Sequence, residues 1–509
     1  MGQNLRVLPD TVLMIGPQLR AAGKPTGTRN KMKANRSYLF LKTKLLLLAL
    51  GLSHMVALES PAQIETPQPQ TTLFQNVRIF DGTSDKLSKP MNVLVRGNEI
   101  EKISAEPIPT DRRADTLLID GAGRTLMPGL IDMHVHIMLV RPRFAEVLAA
   151  DIGYLNLQAG AEAKDMLLRG FTTVRDLGGP SFGLKRAIDE GVIAGPRIYP
   201  CGAMITITGG HGDFRQPFEL PRIMGAPLSH GEQVGAAMLA DSPDEVRVRA
   251  REQLMLGATQ IKLTAGGGAA SPHSPLDVST FTEAELRAAV EAAENWGTYV
   301  TAHAYTPDSI QRAVAAGVKC IEHGHLMDEP TAKVMGERGI WLCTQPFPDE
   351  LAEVLPPGSQ EREKAQQVFA GTDTTYELAK KYKLKTAFGT DILFSRELAP
   401  RQGEFLARLA RWYTPAEALI MATGNNAELL AMCGKRNPYT GKLGVVEEGA
   451  LADLILVDGD PLTNINLIAD PEKNFLVIMK DGKIYKRAEA QLEPTGRPAE
   501  TQNTKGDNP

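Results

Sequence analysis

The sequence predicts an α/β protein: a (β/α)8, or TIM, barrel with a small β-sandwich domain built from N- and C-terminal segments. Three observations carry this. Between residues 128 and 436, eight apolar strand-like runs alternate with helical patterns. Several of those helices open on capping residues, and short alternating runs with Asp-Gly turns recur before and after the region.

Residues 1–62 form an N-terminal extension. From Met32 it reads MKANRSYLFLKTKLLLLALGLSHMVALESPAQ, with a basic start, an apolar run from Leu45 to Leu52, and small residues near Ala57 and Ala62. That is the layout of a signal for export. The expectation is a periplasmic or secreted protein whose translation starts at Met32. A membrane span needs about 20 apolar residues; this run is shorter and closely preceded by Lys42 and Lys44. No stable membrane span is expected after processing, and an uncleaved anchor is the alternative.

The linker ESPAQIETPQPQTT leads into the first sandwich segment, 72–127, where TLFQNVRIF, NVLVRG and TLLID are separated by turn signals. ALADLILVDGD and FLVIMKDGKIYK repeat that texture in the second segment, 437–489. Residues 490–509 read as a polar, disordered tail.

The eight runs of the barrel are GLIDMHVHI, FTTVRDLG, RIYPCGAMI, TQIKLTA, TYVTAHAY, KCIEHGH, GIWLCTQ and KTAFGTD. Ser242 with Pro243 and Glu245 starts one intervening helix, and Thr282 with Glu285 makes a capping box for another. Phe281 and Leu286 can close a hydrophobic staple, and Thr306 followed by Pro307 repeats the start signal. A barrel of this kind carries its active site at the carboxyl ends of the strands. Strand and helix also alternate in an open doubly wound sheet, which remains the alternative.

Composition bounds the function. With 509 residues, 43% hydrophobic, the chain can bury a large core; a net charge of −4 and the lack of a long Lys/Arg run exclude a nucleic-acid footprint. Cys201, Cys320, Cys343 and Cys433 form no CxxC pair, so buried thiols are expected, with one bridge left open.

Ionisable residues interrupt the apolar strands. His134 and His136 lie two apart in the first run and so share a face. Lys262 stands in the fourth, His303 in the fifth, His323 in the sixth and Asp391 in the eighth, each near its strand's carboxyl end. A satisfied core histidine explains any one of them. Burying all of them separately would be costly, and a shared metal cluster supplies the counter-charge. Imidazole and carboxylate suit zinc. An ammonium has no lone pair, but Lys262 carboxylated by CO2 becomes an anion able to bridge two divalent metal ions, of the kind used in two-metal hydrolysis. The other reading of Lys262 is a cation for a substrate anion.

Taken together, HVH in GLIDMHVHI, the lysine of IKLTAGGG, the histidine of TAHAY, the histidine of IEHG and the aspartate of FGTD are in the order of the amidohydrolase superfamily, which the chain resembles from residue 72 onward. The resemblance implies that His134, His136 and Asp391 hold one metal, that His303 and His323 hold the other, and that carboxylated Lys262 and a hydroxide bridge both. Zinc is the default. Asp391 would also move protons. The stretch from IKLTAGGG to IEHGHLMDE is most similar to the binuclear metallocarboxypeptidase and Xaa-Pro dipeptidase-like group that includes ochratoxinase. That implies a small-molecule or short-peptide amide substrate, from which a C-terminal amino acid is released. Relatives assemble as homo-oligomers, often octamers. Against this group's pattern, the loop from about Ile205 to Ser242 is long.

His211 in TITGGHGDF and Tyr305, two residues beyond His303, are the candidate substrate-binding residues. Glycines 266 to 268 lack a GxxxxGK[ST] pattern and suggest a flexible active-site loop. His325 reads as structural, and His273 could reach the site from its loop. The alternatives are a cyclic amide hydrolase of the dihydroorotase or hydantoinase kind, and a non-catalytic scaffold on the same frame.

Overall fold

The computed structural model describes residues 71–111, 116–222 and 227–488, which fall in one compact unit, 67–509. The signal-like segment and the 490–509 tail lie outside the described residues. Among those residues no helix is long and apolar enough to cross a membrane.

The first five strands are short and mostly part-exposed, apart from the buried halves of the first two and the fully buried fifth. They are β1 (Thr71–Ile79), β2 (Pro90–Arg96), β3 (Glu99–Ser104), β4 (Thr116–Asp120) and β5 (Thr125–Pro128). β1 changes register between Phe74 and Val77, where Asn76 takes a left-handed φ of 51°, a conformation asparagine tolerates better than most residues. The bulge lets one strand serve two neighbours on the same side: its first half pairs with β4 and its second with β5.

Ten short strands follow: β6 (Leu130–Val135), β7 (Phe171–Asp176), β8 (Arg197–Pro200), β9 (Met204–Thr206), β10 (Ala237–Leu239), β11 (Ile261–Thr264), β12 (Val300–Ala304), β13 (Cys320–His323), β14 (Trp341–Thr344) and β15 (Thr386–Phe388). All their pairings are parallel, and every residue in them except Met238 is buried, which is why they read as unbroken apolar runs. Near the carboxyl end, β16 (Leu454–Val457), β17 (Phe475–Lys480) and β18 (Lys483–Arg487) join the first sheet through the antiparallel β5–β16 pair. Phe74, Val93 and Ile119 from one end of the chain and Leu454, Leu456 and Leu476 from the other share one core.

All eight predicted runs form strands, with one change: the third is broken. β8 pairs with β7 and β9 with β11, and the chain turns between them at Gly202, whose φ is 74°. Inside the long 205–242 loop, β10 adds an unforeseen strand parallel to β9. The parallel strands therefore form a seven-stranded sheet, β10-β9-β11-β12-β13-β14-β15, and a three-stranded one, β6-β7-β8, not one continuous ladder. Side chains bridge the gap between β15 and β6. Asn426, fully buried, donates to Ile131 O at 2.7 Å and Phe388 O at 2.9 Å and accepts from Phe388 N at 3.0 Å. Buried Asp132 accepts from Thr390 N and Oγ1 and from Gln402 Nε2.

The helix starts follow their chemistry in two cases of three. Ser242 accepts from Glu245 N at 3.2 Å, and Thr282 and Glu285 form the reciprocal box, with Phe281 and Leu286 buried in one cluster. Thr306 differs: its hydroxyl pairs with Ser309 Oγ at 3.0 Å and caps no backbone N–H, because Ser309 offers a side-chain partner first. All four cysteines are buried and free.

Arg197 on β8 is 2% exposed and reaches two carboxylates of the C-terminal strands, Asp453 and, at 2.6 Å, Asp481. Removing one partner of a buried ion pair strands the other without water. Arg197→Ala is expected to cost about 3–5 kcal/mol of folding free energy, whereas Asp481→Asn, with its carboxylate 43% exposed, should cost less than about 1 kcal/mol. Urea unfolding midpoints of the two variants check the contrast.

Candidate metal centre

His134 lies on β6 and His136 just past its end, so strand alternation aims both the same way. Their rings are 5.3 Å apart between centroids, and both Nε2 atoms approach Asp391 Oδ1, at 3.4 and 3.3 Å. These three residues form a donor set able to hold a metal ion. His303 lies at the end of β12 and His323 closes β13, with ring centroids 4.4 Å apart; His323 is 4.9 Å from His134. Lys262, 2% exposed, is the second residue of β11, so it lies deeper than the strand's carboxyl end where the sequence put it. It still faces the same space. His134, His136, His211, Lys262, His303, Tyr305, His323 and Asp391 all line one cavity of about 830 Å³.

Two of these residues pay for their positions in backbone strain. His323 has φ 78° and Asp391 φ 52°, left-handed conformations that cost about 1–2 kcal/mol in non-glycine residues. For His323 the cause is local. Glu322 and His323 are consecutive, so a regular strand would turn them to opposite faces, yet both reach the cluster. For Asp391 the approach is set by Gly389, where a Cβ would come within 2.8 Å of His134 N. Glycine in FGTD is what lets the eighth strand close on the first histidine.

Each imidazole has one nitrogen engaged. His134 Nδ1 meets Glu322 Oε2 at 2.8 Å, His136 Nδ1 meets Gly178 O at 3.3 Å, His303 Nε2 meets Gly267 O at 2.8 Å, and His323 Nδ1 meets Gln345 Oε1 at 2.7 Å. Partners of this kind fix the tautomer of a metal-binding histidine. The opposite nitrogen of His134 is buried with no hydrogen-bond partner, which a cation would satisfy. Burial, followed by nearby positive charge or neighbouring imidazoles, holds His134, His303 and His323 well below the usual histidine range, so their lone pairs are free. Burial also lowers Lys262, which favours its neutral amine. The donor set fits divalent metal.

Sequence reasoning missed the supports. Glu322, fully buried, receives Arg175 Nη2 at 2.6 Å and the Thr301 hydroxyl as well as His134. Burial alone would raise its pKa, but Arg175 and Lys262 outweigh that and hold it low. The expected flexible loop is also corrected: Gly266, Gly267 and Gly268 are buried, and Lys364 donates to Gly268 O, Ser271 O and Ser274 O at 3.1, 2.6 and 3.2 Å. An ammonium pins the loop from a helix nearly a hundred residues away.

His211 bonds Ser271 Oγ at 2.8 Å and lies 4.3 Å from His303, ring to ring; burial and the Lys262 charge pull it down to about 3. Tyr305 meets the His303 ring edge-on at 4.7 Å. His325 packs on Phe347 and bonds Gln345 O, and exposed His273 does not line the cavity. Beyond the polar floor the walls are mostly apolar, including Phe144, Phe214, Phe347, Leu351 and Phe394, with Arg143, Glu361 and Glu397 among them.

A family model described as the amidohydrolase family matches residues 125–485. The ochratoxinase of Aspergillus niger is 31% identical over 379 residues, covering 71% of this chain and 75% of that one. The crystal structure of A. niger ochratoxinase superposes with a TM-score of 0.71 at 26% identity, covering 82% of this chain and 96% of that one. A solved prolidase complexed with N-methylphosphonate-L-proline gives 0.75 at 34% identity, covering 82% and 100%. A Xaa-Pro dipeptidase with bound methionine in its active site gives 0.70 at 30%, also covering 82% and 100%. These neighbours imply a TIM barrel with an added domain. The chain belongs to the amidohydrolase family, a hydrolase acting on C–N bonds.

Proposed function

We propose that the protein is a binuclear metal-dependent amidohydrolase that cleaves the amide bond to a C-terminal amino acid, and that its parallel strands act as one barrel wall around the site. The observation that carries this is the convergence of His134, His136, Lys262, His303, His323 and Asp391 on one cavity whose remaining walls are mostly apolar. The activities named by the relatives, ochratoxinase and Xaa-Pro dipeptidase, support an acyl or peptidyl group on one side of the bond and an amino acid on the other.

His134, His136 and Asp391 would hold one ion, His303 and His323 the other, and carboxylated Lys262 would join them, with zinc the first candidate. Carboxylation forms a bond from the lysine nitrogen to CO2 carbon and releases a proton, so the neutral amine that burial favours is its reactant. Divalent ions held there polarise a carbonyl and lower the pKa of water. Asp391, 15% exposed and facing the cavity, is the carboxylate able to take a proton from the attacking water and return it to the leaving nitrogen as the C–N bond breaks. His211 and Tyr305 flank the His303 ring and orient the substrate's carbonyl or carboxylate. Glu322 holds His134 in the tautomer that points Nε2 inward.

Metal-loaded protein incubated with N-acyl amino acids, dipeptides and ochratoxin A should release free amino acid. Release of none, with opening of dihydroorotate or hydantoins instead, would replace this reading by the cyclic-amide one. Asp391→Asn should lower kcat by about 10²- to 10⁴-fold, with bound metal still present by elemental analysis. Lys262→Ala should lose the metal pair, and Glu322→Gln should weaken metal affinity about 10- to 100-fold, read by competition with a chelating dye.

A further inference from the structure

A second cavity, of about 340 Å³, lies next to the catalytic one and shares two of its walls, the rings of Phe347 and Phe369, whose centroids are 4.7 Å apart. Its polar groups are unevenly matched. Asp373 uses both carboxylate oxygens, one accepting from Trp412 Nε1 at 2.7 Å and the other paired with Arg411. The side chain of Arg408, the last residue of the helix Gln402–Arg408, makes no hydrogen bond or ion pair with the described residues, and its Nε is buried. Thr372, 3% exposed, also turns to this space, and its hydroxyl is buried with no partner.

Arg408 as a whole is only part-buried, but its Nε and the Thr372 hydroxyl are both buried without partners in one pocket, and buried donors need acceptors. Asp373 is already satisfied, so the acceptors are supplied by water or by a bound ligand. A guanidinium matches a carboxylate in geometry and charge. Three aromatic rings suit an apolar group, Phe347 and Phe369 on one side and Trp412, stacked on Tyr376 at 4.3 Å, on the other, while Gln366 and the Asp373–Arg411 pair make the rest of the lining mostly polar. The volume falls in the range of small-ligand sites.

We propose that this cavity is a second ligand site, for a small carboxylate carrying an apolar group. The carboxylate pairs with Arg408 and Thr372, and the apolar group lies between the phenylalanines and Trp412. A ligand seated here packs against the same rings that wall the catalytic cavity. The assignment stands without the reaction proposed above; if that reaction holds, its products belong to the same chemical class.

Calorimetric titration of the metal-loaded protein with phenylacetate tests it, with uncharged 2-phenylethanol as the control. Phenylacetate should bind, 2-phenylethanol should not, Arg408→Leu should weaken binding about tenfold or more, and the near-isosteric Thr372→Val should weaken it several-fold. Melting curves report whether each variant is folded; if Arg408→Leu is not, Thr372→Val decides. Equal affinity in the folded variants would place the carboxylate in the metal cavity, and no binding to the wild type would leave a water-filled crevice. Either result overturns the site.

Discussion

A single buried carboxylate underlies the cavity that the histidines line. Glu322 lies where no water reaches it, and its oxygens are taken up by Arg175, Thr301 and His134. An isolated carboxylate in such a place would be driven to its neutral form. Arg175, itself fully buried, supplies the compensating charge and also donates to Met133 O, which ties the pair to the strand bearing His134. The pair thus does two things at once: it tolerates burial, and it holds an imidazole in one tautomer.

The rest of the site is built outward from that floor. Strand ends deliver the histidines, and left-handed backbone at His323 and Asp391 turns two side chains inward that regular geometry would send elsewhere. Strain of this kind persists only where the surroundings over-determine it. Here they do: Gln345 holds the His323 ring, and Asp391 N donates to His134 O at 2.8 Å. The mostly apolar walls above the floor then bound a space of about 830 Å³.

The polar residues that converge on the cavity were legible because each breaks an otherwise apolar strand, and a buried ionisable group always needs an explanation. Glu322 was illegible for a physical reason. It stands beside His323, and alternation assigns neighbours to opposite faces, so only the positive φ of His323 reveals that both turn inward. Lys364 was invisible because its partners are backbone carbonyls, which leave no mark in sequence. The break in the third strand was foreshadowed by Cys201 and Gly202 within RIYPCGAMI, but a glycine inside an apolar run is equally compatible with a continuous strand. The eight strand segments themselves were readable from apolar runs alone; how their ladders connect depends on side chains such as Asn426, whose role no periodicity encodes.

The Lys364 ammonium has the part that a bound potassium ion plays in other folds: a fixed positive charge ringed by peptide oxygens. It belongs to the helix Gln360–Ala370, which also carries Phe369. The loop touching His211 and the wall between the two cavities are therefore both held by one helix. The breadth of the cavity and the seating of His211 thus depend on the same helix.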